Sequence, residues 1–90
     1  MKIRRFTIRF VGKVDDTFPS IFIFRLLPRS KEIMRVSHLP QEKDCDTCFE
    51  VDTTVRAEPS DVWHHATAVA RSYIHGLSCG VSYNGTFAAA

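Results

Sequence analysis

Cys45-Asp46-Thr47-Cys48 is the sharpest chemical pattern in this sequence of 90 residues. Two thiols two residues apart supply half of a tetrahedral zinc site, and His75 with Cys79 would supply the other half. The second pair straddles Gly76 and matches no recognised finger, so the competing reading is an ordinary loop with reduced thiols. A thioredoxin-like role fits less well, because that chemistry wants its first Cys at a helix N-terminus and a strand follows here. The His64-His65 doublet invites a metal or catalytic reading. Adjacent helical residues point about 100° apart, however, so the two rings do not share one small site.

Two charged groupings come next. Arg5 and Arg9, with Lys13 in line, form a basic stripe on one side of an alternating segment, suited to phosphates in a nucleic-acid-binding domain. The rings beside them, Phe6 and Phe10, fall on the side that reads as buried, which leaves the stripe without stacking groups. Glu42, Asp44, Asp46, Glu50 and Asp52 are spread over eleven positions and form an acidic patch suited to docking on a basic protein surface. The same acids also read as a charged strand protected against aggregation. Residues 1–35 hold nine Lys or Arg against three acids, whereas residues 36–90 hold three against seven. Such a split makes either two surfaces of opposite sign or neighbouring strands that neutralise each other across the sheet.

Catalysis is not expected from these residues. The four glycines are scattered, no serine stands in a nucleophile elbow, and no paired carboxylates share a spacing that puts them in one cleft. A sheet with one helix also offers little depth for a pocket. No cofactor is expected apart from the zinc reading.

These residues must be positioned by a small number of elements. Val62, Trp63, Ala66, Val69, Ala70, Tyr73, Ile74 and Leu77 recur at helical spacing, which predicts a helix over 60–77 capped by Ser60 or started by Pro59, with Gly76 ending it. Phe6, Ile8 and Phe10 alternate with Arg5, Thr7 and Arg9 as in a half-buried strand, and Phe49, Val51, Thr53 and Val55 do the same. The run Ile21 to Leu27 is apolar on both sides apart from Arg25, which predicts a central strand. Glu32 to Val36 and Val81 to Tyr83 predict short strands, with Asn84-Gly85 as a tight turn bringing Thr86 and Phe87 alongside. The expected architecture is one α+β domain over residues 1–87: an antiparallel sheet of four to five strands in chain order with one helix packed on one face. The expected core includes Phe6, Ile8, Phe10, Phe22, Phe24, Leu26, Phe49, Val51 and Val55, facing Val62, Trp63, Ala66, Val69, Tyr73 and Val81. The closing alanines, 88–90, read as an expression scar or a disordered tail.

A chain this short builds one core. Three cysteines argue against a secreted disulfide framework, and no signal peptide or spanning segment is visible, so the expectation is a cytoplasmic protein with no membrane partner, monomeric or homodimeric. In size, and in its segregated charge around an exposed sheet face, the chain resembles the small inhibitor proteins of phages and mobile elements, of which anti-CRISPR proteins are the best-known class. The resemblance involves no motif and carries over no functional residue. It implies a non-enzymatic inhibitor that binds a bacterial Cas protein or complex and blocks recognition or cleavage of target DNA. The alternatives are a nucleic-acid-binding domain using Arg5, Arg9 and Lys13, and a zinc-stabilised adaptor using Cys45, Cys48, His75 and Cys79.

Overall fold

The computed structural model describes residues 1–40 and 46–89. Its elements are strand β1 (Lys2–Val11), helix α1 (Phe18–Leu26) continued by a 3-10 turn over Leu27–Arg29, strands β2 (Ile33–His38) and β3 (Asp46–Thr53), helix α2 (Pro59–Arg71) and strand β4 (Ser78–Ala88). The strands form one antiparallel sheet in the order β2-β3-β1-β4. Each half of the chain is therefore a strand-helix-strand crossover with a strand of the other half slotted into it, the split arrangement of ferredoxin-like domains. The chain is α+β, with an antiparallel sheet and helices on one face. The strands do not lie in chain order, and there are two helices where the sequence suggested one.

The second helix replaces the predicted strand at Ile21 to Leu27. An apolar run satisfies either period, and here local signals decide it. Pro19 occupies the first turn, where its missing N–H costs nothing. The Asp15 carboxylate accepts from the backbone N–H groups of Thr17 and Phe18 at 3.1 and 3.0 Å, satisfying donors that the helix start leaves open. Phe18, Phe22 and Leu26, four residues apart, are fully buried, while Phe24 turns outward at 81% exposure. Phe10, Phe18, Phe22 and Phe49 make the centre of the core, with Phe22 and Phe49 only 4.4 Å apart between ring centroids.

Helix α2 is shorter than its periodicity suggested. Glu58, rather than Ser60, caps it in a reciprocal box with Asp61, and it ends at Arg71. There the Ser72 hydroxyl turns back to the Val69 carbonyl at 2.7 Å, and Gly76, at φ +90°, lies in the connection to β4 and does not cap the helix. The β3 strand starts at Asp46, so Thr47 and Cys48 are strand residues, while Val55 falls beyond its end and is exposed, as is Trp63. Asn84-Gly85 is no turn either. Arg5 pairs with Gly85 and Phe6 with Tyr83, so Asn84 is the extra residue of a bulge, held by a hydrogen bond to the Thr7 hydroxyl. Ala88 pairs with Lys2 and the Ala89 amide donates to the Met1 carbonyl, which makes both alanines part of the sheet edge.

Candidate active-site cleft

The charged residues singled out in the sequence meet one another on the face of the sheet away from the helices. Asp52, paired with Arg5 in the β1–β3 register, accepts from Arg5 Nε at 2.8 Å and from Arg35 Nε at 2.9 Å. Glu50 takes Arg35 at 2.8 Å and Arg5 at 3.4 Å, and Asp46 takes Arg9. Burial pushes the Asp52 carboxyl up, but the hydrogen bonds and charges of Arg5 and Arg35 outweigh it and hold the group below its usual range. The stripe and the acids thus neutralise each other across strands. Neither is a free surface of one sign. Lys13 lies past the end of β1 and makes no ion pair with any described residue. Glu42, Asp44 and Cys45 lie outside the described residues.

The zinc reading fails on register. Cys48 pairs with Arg9 and Cys79 with Phe10, and neighbouring residues of one strand face opposite sides, so the two thiols stand on opposite faces of the sheet. Among the described residues no group of three or more His, Cys, Asp or Glu is placed to hold a metal ion.

A cleft of about 290 Å³ opens where α2 stops short, between its last turns, the connection to β4 and the end of the sheet. Phe10 and the facing Cys79 form its floor, and Thr67, Ala70 and Arg71 of α2 make one wall, with Ile74, His75, Gly76 and Leu77 of the connection closing the other. Burial pushes the Cys79 thiol up, more than a hydrogen bond with the Thr67 side chain brings it down, so the sulfur is a neutral wall atom and weak donor, not a thiolate. The Thr67 hydroxyl donates to the Trp63 carbonyl at 2.6 Å, and the Trp63 indole donates to the Cys79 carbonyl at 3.1 Å, which ties α2 to β4 beside the cleft. Arg71 and His75 are exposed at the rim, and among the described residues no carboxylate lines the space. His75 and Cys79 do come together, in a cleft and not around a metal. Thr67, Arg71 and Ile74 escaped the sequence reading because a helix running to Leu77 would turn Arg71 and His75 out to solvent on its polar face.

The wall that carries Ile74, His75 and Leu77 is latched from below. The Tyr73 hydroxyl lies 2.8 and 3.1 Å from the two oxygens of Asp15 and 2.7 Å from the Thr17 hydroxyl. Hydrogen bonds from Thr17 and then Tyr73 hold the Asp15 carboxyl below its usual range. Its share of stability is therefore complete above the ordinary carboxylate range and is lost as pH falls through the lowered value. In Tyr73→Phe the carboxyl of Asp15 is expected to titrate at higher pH, closer to an ordinary Asp. A carbon-detected NMR titration of Asp15 measures this, and an unchanged titration would show that the latch does not form in solution.

The fold and the cleft together define a class, a split βαβ domain with a small, half-open cleft between the end of its second helix and its sheet. No family model matches the chain, and no curated protein does. Among solved structures the chain is similar to a crystal structure of a mutant of SnoaB, a cofactor-independent oxygenase from Streptomyces nogalater, at a TM-score of 0.53 and 22% identity, covering 98% of this chain and 92% of that one. At this identity the likeness shows the fold. It corrects the expectation of a non-enzymatic, anti-CRISPR-like inhibitor in which catalysis has no place. That expectation rested on elimination, on a single helix leaving no depth for a pocket, whereas this fold carries an oxygenase and here encloses a cleft.

Proposed function

We propose that the chain is an enzyme that takes a small molecule with an acidic O–H or C–H group into the cleft between α2 and β4, whose lining is part apolar and part polar, and oxygenates it without a metal or organic cofactor. The observation that carries this reading is a cleft with no acid among its described lining residues, with Phe10 and Cys79 at its floor and Arg71 and His75 at its rim, in a chain whose fold is shared along almost its whole length with an oxygenase of that kind. Without a cofactor the electrons that reduce dioxygen come from the substrate. The protein then has two tasks, to form the substrate anion and to keep it away from water.

Among the described residues that line the cleft, His75 carries the ring nitrogen that can accept the substrate proton. Arg71 balances the charge left behind. Phe10, Ala70, Ile74 and Leu77 exclude water around it. Oxidation of a methylene to a carbonyl by one dioxygen, with water as the other product, balances without an outside reductant. The neutral Cys79 thiol and the Thr67 hydroxyl shape the floor.

The test pairs an NMR titration with dioxygen uptake, using a panel of hydroxylated bicyclic and tricyclic aromatic compounds in buffer with chelator. Shifts confined to Thr67, Ala70, Ile74 and Cys79, with uptake that survives chelation and falls about a hundred-fold or more in His75→Ala, are the expected result. Shifts only at other residues, uptake abolished by chelator, or no uptake from any compound that binds the cleft would overturn the proposal.

A further inference from the structure

Helix α1 has two apolar stripes, and only one of them is covered. Phe18, Phe22 and Leu26 face the sheet, while Phe24, Leu27 and Pro28 point away from it and, with the half-buried Ile23 and with Ser20, border a shallow apolar hollow of about 750 Å³ that no other described residue lines. Phe24 stands 81% exposed. The C-terminal end of this helix is basic. Arg25, Arg29 and Lys31 are the charged residues over 18–31, with no Asp or Glu among them, while Glu32 and Asp61 border a separate hollow with Ser30 and His65. Every ion pair among the described residues belongs to Arg4, Arg5, Arg9 or Arg35. The partners of Arg25 and Arg29 are the Ser72 hydroxyl and a His65 ring nitrogen, both at 3.3 Å, so their charge is not cancelled.

We infer that the helical layer docks on an anionic lipid surface, with Phe24 and Leu27 entering the headgroup boundary and Arg25, Arg29 and Lys31 meeting the phosphates. An apolar stripe beside uncancelled cations is the pattern that lies in a membrane interface, where each adds independently to affinity. A ring standing proud of its helix enters a fluid surface without needing a matching hole. A second copy is disfavoured, since its helical layer would bring the same uncancelled cations face to face. Nucleic acid is disfavoured because the stripe offers one aromatic ring for stacking and is otherwise aliphatic. This is surface association, because no helix among the described residues is long and apolar enough to cross a membrane. It also differs from the sequence expectation of no membrane partner, which rested on finding no spanning segment.

The experiment is sedimentation of the whole chain with vesicles of phosphatidylcholine alone or with about a third phosphatidylglycerol. Pelleting is expected only with the anionic vesicles. Phe24→Asp should lower the partition coefficient about ten-fold or more, and Arg25→Ala with Arg29→Ala about thirty-fold. Circular dichroism of each variant confirms that the fold is kept, as the exposure of these side chains predicts. Equal pelleting with neutral vesicles, no pelleting, or full binding by Phe24→Asp would overturn the inference. So would self-association that Phe24→Asp abolishes in the absence of lipid.

Discussion

Phe22→Ala is expected to cost the fold about 4 kcal/mol, while Phe24→Ala, two residues along the same helix, costs less than about 0.5 kcal/mol. The Phe22 ring is fully buried, 5.0 Å from Phe10, 5.7 Å from Phe18 and 4.4 Å from Phe49 between centroids. Its removal leaves a hole lined by three other rings, which cannot all move into it at once because each is fixed to a different element. Stabilities of small domains start near 5 kcal/mol, so the variant should show a large drop in urea midpoint with its slope kept. The pair of substitutions also separates two folds. In a strand Phe22 and Phe24 would share a face and cost alike, so equal losses in urea titrations would return Ile21 to Leu27 to the sheet.

The reason this segment misreads is physical. A run in which almost every residue is apolar fits period 2 and period 3.6 equally well, and the deciding signals lie before it, in Asp15, Pro19 and the four-residue spacing from Phe18. Segments with polar residues on one face are legible. Phe6, Ile8 and Phe10 against Arg5, Thr7 and Arg9, with Phe49 and Val51 against Glu50 and Asp52, identify two half-buried strands. The expected neutralisation of basic by acidic strands holds in register for Arg5 opposite Asp52, while Arg9 stands opposite Cys48 and Glu50 opposite Thr7. Helix α2 shows the limit of periodicity from the other side. Its apolar spacing continues through Tyr73, Ile74 and Leu77, but those residues are buried by a connection that leaves the helix axis after Arg71.

The cleft was illegible for the same reason. Its floor pairs Phe10 with Cys79 across a register set by a bulge at Asn84, and its rim exists only because the helix stops early. Neither fact is local to the residues concerned. A Thr at position 67, one turn beyond Trp63 and among apolar neighbours, was the one hint that a polar group points inward there. Reasoning from the absence of motifs therefore could not exclude an enzyme, since a pocket made by tertiary arrangement leaves no signature in spacing.

Asp52→Asn is expected to destabilise the chain by about 2 kcal/mol at neutral pH, less than the ~3–5 kcal/mol of a fully buried broken pair, because water screens its partners. The Asp52 side chain is 7% exposed, but those of Arg5 and Arg35 keep 30% and 48%. Glu50 also stays within reach of both guanidinium groups. The pH dependence identifies the cause. Because the folded state holds this carboxyl below its unfolded value, its contribution is complete above about pH 4 and is lost as pH falls through the lowered folded value. The gap between parent and variant should then be constant from about pH 5 upward and narrow as pH falls through the lowered folded value, as read from urea titrations at successively lower pH. A gap that persists undiminished in acid would mean that the cost is one of geometry and not of charge. Since Asp52 joins β1 and β2 through β3, the loss should also appear first as faster amide exchange along β2, the edge strand that Arg35 secures.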